Sequence, residues 1–203
     1  MDNASRSERT RKAAIEAALA IIARDGPGRL TLDAIARESG ISKGGVMHQF
    51  RTKEAVLRAL LEHQIEYFED FSRKYLAKHS MTQSEPHLAA EIATTRKAVA
   101  KPNSVASAIL AAVGEDPSLL VVTRELAAKK VKAIKAEAAD PELATLRWMA
   151  ARGLATTALL GMCPLSQEER ERLFDRLLDD QQWSALANPG TQSSGHPRKR
   201  KKR

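Results

Sequence analysis

Few side chains in this 203-residue chain stand at spacings that support chemistry. His87 with Glu91, at i and i+4, and His63 with Glu66, at i and i+3, each place two metal-ligating groups on one helix face. Neither pair has a third ligand nearby in sequence, and such pairs are ordinarily solvated surface, so no metal and no cofactor is expected. Cys163 lies beside Pro164 in an apolar stretch, a setting for an inert small hydrophobe rather than an activated thiolate. There is no glycine-rich phosphate loop and no nucleophile elbow, so no enzyme is expected. What remains is a short segment after Ser42 in which Gly44, Gly45, His48 and Gln49 share one side of a helix and Val46, Met47 and Phe50 the other. One side docks; the polar side is free to enter a nucleic-acid groove.

That polar side needs a frame, and helix punctuation supplies it. Ser5 with Glu8 forms a candidate capping box, after which Ile15, Leu19 and Ile22 recur as one apolar stripe ended by Gly26-Pro27-Gly28. Thr31 caps a second helix with Ile35 and Ala36 facing inward, and Gly40 closes it. Ser42 caps the third. Three short helices, the last two joined by a tight glycine turn, meet the requirements of a helix-turn-helix. After Thr52, residues 53–79 run without Gly or Pro, long enough to leave one domain and enter another. Prolines 86, 102, 117, 141 and 164 cut the remainder into about five more helices. The expected fold is all-α with about nine helices: a helix-turn-helix head over 1–52, a ligand-binding and dimerisation body over 53–187, and a disordered basic tail over 188–203.

Charge divides the chain in the same way. The net +8 comprises +3 over residues 1–55, −1 over 56–197 and +6 in Arg198–Arg203 alone. The head's excess suits DNA, and the tail adds sequence-independent phosphate contacts or simply solubility. A single cysteine rules out internal disulfides and favours a reducing cytoplasm. The longest uncharged run, Gly153 to Gln167, is 15 residues and holds Pro164, too short to span a bilayer.

The stretch from Gly28 to Phe50, followed by Lys53-Glu54-Ala55-Val56-Leu57, resembles the N-terminal signature of TetR/AcrR-family transcriptional regulators. The likeness covers roughly residues 10 to 60 and includes Thr31, Ile35-Ala36, Gly40, Ser42-Lys43-Gly44, Phe50 and Lys53-Glu54 at the family's spacing. It implies an all-helical homodimer with a DNA-binding head and a body that takes a small effector. It also implies Thr31 and Lys53 on DNA phosphates and Phe50 in the head's packing. Many relatives carry an aromatic at Met47 or His48, and of these two only His48 can hydrogen-bond a phosphate. The expected DNA-contacting set is therefore Thr31, Ser42, Lys43, Gly44, Gly45, His48, Gln49 and Lys53. The cations set register, Gln49 pairs with adenine, the two glycines permit close approach, and Arg29 and Arg37 reach backbone or minor groove.

For the body, Phe71, Tyr75, Trp148 and Arg152 are candidate ligand-pocket residues, with Thr95, Arg147 and Thr156 as polar groups that orient a ligand. Gly153, Thr157 and Gly161 form a small-residue track, and Ser166 with Glu169 opens a last amphipathic helix. Two such helices call for a partner, so a four-helix dimer interface is expected. A two-fold dimer requires a palindromic operator in double-stranded DNA. The expected function is a cytoplasmic, ligand-released repressor; the alternative is a ligand-independent architectural dimer.

Overall fold

A computed structural model describes residues 3–100, 106, 109, 113 and 117–187. Their regular structure is all helix, with no strand among the described residues. The head consists of α1 (Asn3–Asp25), a 3-10 turn at Pro27–Arg29, α2 (Leu32–Ser39) and α3 (Lys43–Gln49). The long α4 (Lys53–His79) leads to α5 (Pro86–Val99), a 3-10 turn at Pro117–Leu119, α6 (Leu120–Glu137), α7 (Pro141–Leu159), α8 (Gln167–Leu178) and α9 (Asp180–Ser184).

Most ends follow from local hydrogen bonding. Thr31, Ser42 and Thr52 each accept a bond from the backbone N–H three residues on, at 3.1 to 3.2 Å, and so satisfy the orphan donors of α2, α3 and α4. Ser166 and Glu169 complete a reciprocal capping box at α8. Asp140 accepts from Glu142 and Leu143 to start α7, with Pro141 in the first turn. Gly40 closes α2 with φ of 68°, a left-handed backbone that disfavours a side chain.

Three local expectations change. Ser5 lies inside α1, because that helix already begins at Asn3, so the Ser5–Glu8 pair is not its cap. Gly161 stands beyond the end of α7 with φ of 68°, and the backbone N–H groups of Met162 and Cys163 fold back onto the Thr157 carbonyl. The small-residue track therefore ends at Thr157. A break at Asp179, which caps α9, divides the last helix in two. The described helices number nine, α9 among them, whereas the helix expected between Pro102 and Asp116 and the tail from 188 fall outside the described residues, save for helical Ala106, Ile109 and Val113.

Two cores result. The head buries Ile21, Ile22, Leu30, Ile35, Val46 and Phe50, together with Val56, Leu57 and Leu60 from the first turns of α4. By packing, the head thus runs past residue 52 to about Leu61. Leu119, 5% exposed, joins that core from the body side, with Ile109 and Val113 packed against it. The second core gathers Leu88, Ile92, Ile134, Trp148, Phe174 and Leu177 around α5, which lies against α4, α6, α7 and α8. Arg147, 3% exposed, ties this layer together. Its guanidinium donates to the Leu177 carbonyl at 2.7 Å, to Glu85 at 2.5 Å and to Asp180 at 3.2 Å. Such a charge is tolerable inside because every side of it is answered.

Candidate nucleic-acid interface

The third helix is anchored by Val46 and by Phe50 just past its end, buried to 0% and 1% exposure, with Arg11 stacked over the Phe50 ring at 4.9 Å. Its other side presents Lys43, Gly44, Met47 and His48 to solvent. Met47, 46% exposed, belongs to this face and not to the docking side that the sequence suggests. A Cβ built on Gly44 meets nothing within 4 Å, so the helix presents bare backbone there. Gly45 differs: a Cβ would stand 2.7 Å from the Ile41 side chain. Its small size serves the packing of the turn against α3.

Around this face the exposed polar groups gather by chain position. Thr31, Ser42 and Lys53 are all exposed, the first two as caps and Lys53 as the first residue of α4. Helix N-termini carry partial positive charge and free N–H groups, the arrangement that receives phosphate. At the start of α4 the Glu54 carboxyl lies below the ordinary range, held by its own backbone N–H and the Thr52 hydroxyl. Lys43 already has a partner, Asp33 in the first turn of α2, at 2.9 Å with both side chains 61% exposed. Arg37, Arg51 and Lys53 are exposed cations with no ion pair among the described residues. At the far end of the head, Arg24 joins α1 to α2 through Glu38 at 2.9 Å and Asp25 at 3.0 Å; hydrogen bonds to Glu38, then Asp25, raise its already high pKa.

Gln49 is placed otherwise than its sequence position suggests. Its amide nitrogen donates to the Ser7 hydroxyl at 2.9 Å, so the group expected on adenine faces α1 and is half-buried. No sequence signal marks Ser7 as its partner, 42 residues away.

In the body the four candidate pocket residues fall into two pairs. Phe71 and Tyr75 neighbour each other on α4, Tyr75 stacks on His79 with ring centroids 4.4 Å apart, and its hydroxyl meets Gln83. Trp148 is in the second core, with the exposed Arg152 guanidinium lying over its ring at 4.9 Å. Arg147 is bound up in its network and Thr95 bonds back to the Glu91 carbonyl, so neither is spare for a ligand. The paired metal candidates are also separated by their partners. His87 Nδ1 meets Glu137 at 2.6 Å, whereas Glu91 pairs with Lys130 at 2.8 Å. Among the described residues no three metal-ligating side chains group together, and His63 Nδ1 is buried without a hydrogen bond.

One face stays apolar and open. Leu146, Met149, Leu160 and Met162, on and just beyond α7, are 45 to 66% exposed, and Leu173 of α8 is 37% exposed. Between these helices a surface-open groove of about 690 Å³ is lined by Gly153, Leu154, Thr157, Leu165, Leu173 and Leu177, among others. Among the described residues no helix is long and apolar enough to cross a membrane.

Comparison with known proteins agrees with this geometry. Residues 14–60 match the family described as bacterial regulatory proteins, tetR family, and residues 85–180 match the tetracyclin repressor-like C-terminal domain. The chain belongs to the TetR family: it is a DNA-binding transcriptional regulator and not an enzyme. The HTH-type transcriptional regulator SrpR of Pseudomonas putida is 41% identical over 58 residues, which cover 29% of this chain and 27% of that relative. Among solved structures, the multidrug binding protein EbrR complexed with ethidium shares the fold at 22% identity and a TM-score of 0.58, over 83% of this chain and 97% of its own. A TetR-family member of Streptomyces coelicolor does so at 20% identity and a TM-score of 0.56, over the same shares.

Proposed function

We propose that the chain is a homodimeric repressor that binds a palindromic operator and releases it when a small molecule occupies the body. The observation that carries the DNA reading is α3, fixed by Val46 and Phe50 and open along Lys43, Gly44, Met47 and His48. Lys43, His48 and Lys53, with the caps Thr31 and Ser42, hold phosphates and set register. Gly44 admits the duplex; Gly45 and Gln49 support the helix from behind.

The dimer reading rests on the apolar face of α7 and α8. Leu146, Met149 and Leu173 are too exposed for a resting surface, and helices in this arrangement pack well against their own two-fold copies. Two heads then meet half-sites about one helical turn apart or a multiple of it. An effector acts by favouring a body conformation that mis-spaces the heads, and a coupling of roughly 1 to 3 kcal/mol changes operator affinity about 5- to 150-fold. Both α4 and the Leu119 anchor connect body to head and would transmit the change.

Selection from random duplexes tests this directly. An inverted repeat should be enriched, and the chain should sediment at twice its 22.2 kDa mass, falling to one mass in Met149→Glu. Enrichment of a single unrepeated half-site by a monomeric chain would overturn the dimer, and a selected operator that no small molecule releases would favour the ligand-independent alternative.

A further inference from the structure

A surface-open cavity of about 200 Å³ lies between α4, α5 and α6, lined in part by Glu69, Ser72, Arg73, Glu91, Lys129 and Lys130. Its two carboxylates are already taken. Lys130 Nζ sits 2.6 Å from Glu69 Oε1 and 2.8 Å from Glu91 Oε1, and the Glu91 side chain is only 9% exposed. Burial lowers the Lys130 ammonium pKa, but Glu91 and Glu69 more than offset it, so the group stays charged and the triad is self-contained. His87, also on the lining, is engaged by Glu137.

The uncommitted groups have the opposite character. Lys129 is exposed and makes no ion pair among the described residues. Arg73 has a single 3.3 Å contact to Asp70, a carboxylate whose other oxygen is held by Lys74 at 2.6 Å. Ser72 is 7% exposed, and its hydroxyl makes no hydrogen bond among the described residues but keeps accessible surface on the cavity wall. Buried helical hydroxyls often bond the carbonyl four residues back, as Thr94 does here at 2.7 Å. On the cavity lining an unpartnered hydroxyl of a residue only 7% exposed stands with one unpaired cation, Lys129, and with Arg73, which is held only by its 3.3 Å contact to Asp70. Leu76 and Ala133 supply the apolar part of the lining.

We propose that this cavity receives a small organic acid, its carboxylate held by Lys129, Arg73 and the Ser72 hydroxyl and its short apolar part lying against Leu76 and Ala133. A cavity of about 150 Å³ suffices for benzene, so the space suits an acid of roughly six to eight heavy atoms. The inference rests on reading the body as an effector domain and names the effector's chemical class. An organic cation fits less well, because among the described lining residues the carboxylates, Glu69 and Glu91, are closed off by Lys130.

Calorimetric titration of the full chain with butyrate and hexanoate, against butyramide and hexanamide at equal ionic strength, tests it. The acids should bind about tenfold more tightly than their amides, the difference expected of charge-assisted hydrogen bonds. Lys129→Glu should abolish the preference and Ser72→Ala weaken acid binding several-fold, whereas Lys132→Glu should leave it intact, with unchanged melting temperatures confirming each fold. Equal affinity for acid and amide, no binding of any of the four, or indifference to Lys129→Glu would overturn the proposal. Fluorescence polarisation of a selected duplex separates the two readings: acid binding without DNA release overturns the effector reading and leaves the site standing. DNA release by another compound, in a chain that ignores the acids, does the reverse.

Discussion

Gln49 donates its amide to the Ser7 hydroxyl across 2.9 Å, joining the last residue of α3 to the second turn of α1. The bond ties the C-terminal end of α3 to α1. Gln49→Ala should therefore cost about 1 kcal/mol of stability, the usual worth of such a bond, and weaken selected and random DNA by similar factors. Parallel titrations on both duplexes check this, and a loss confined to the selected operator would return Gln49 to base reading.

Lys43 and Asp33 face each other at 2.9 Å in full solvent, where a pair contributes little to stability. Asp33→Asn should leave the melting temperature nearly unchanged while freeing Lys43 for phosphate. Affinity should then rise for all sequences alike, and the slope of log K against log salt should steepen by up to about 0.9 per site gained. An unaltered slope would remove Lys43 from the phosphate contacts.

Arg147 closes the body's second core through Leu177, Glu85 and Asp180. Arg147→Ala leaves two partly buried carboxylates without their cation, Asp180 keeping only its bonds from Ser84, and losses of about 3 to 5 kcal/mol accompany such one-sided removals. Chemical denaturation gives the number. A loss below about 1 kcal/mol would show that solvent reaches the network freely.

The same network has a pH signature. Burial raises the Glu85 carboxyl above its ordinary 4.5, outweighing the pull of Arg147, and the neighbouring Asp180 and Glu137 push the same way. An acid with a raised folded pKa contributes stability that is present below 4.5 and lost as pH rises through its folded value. Relative to Glu85→Gln, the native chain should lose melting temperature across a window beginning just above pH 4.5 and run parallel to the variant at higher pH. A difference that grows toward acid in the variant's favour would reverse the assignment.

What could be read from the residue string was whatever the chain decides within one turn. Thr31, Ser42, Thr52 and the Ser166–Glu169 box each bond a group three residues away, so residue type and spacing suffice. The same holds for the head's apolar stripe, whose Ile15 and Ile22 are buried. Ser7 with Gln49, Lys130 with Glu69 and Glu91, and Arg147 with Asp180 meet only after helices pack, over separations that no periodicity encodes. Phe71, Tyr75, Trp148 and Arg152 are indistinguishable in sequence from ordinary core and surface residues, and packing sets them in two pairs, Phe71 with Tyr75 and Trp148 with Arg152. Ser72 carries no signal at all until its missing hydrogen bond is seen.

The two adjacent glycines of α3 differ in what a side chain there would disturb. A side chain at Gly45 would stand 2.7 Å from the Ile41 side chain and force a shift there, whereas one at Gly44 meets open space. Replacing Gly44 by Ala would even favour the helix by about 1 kcal/mol. On the proposed reading, a side chain at residue 44 would fill the space that admits the duplex while sparing the fold, so that position alters DNA binding first and its neighbour alters folding first.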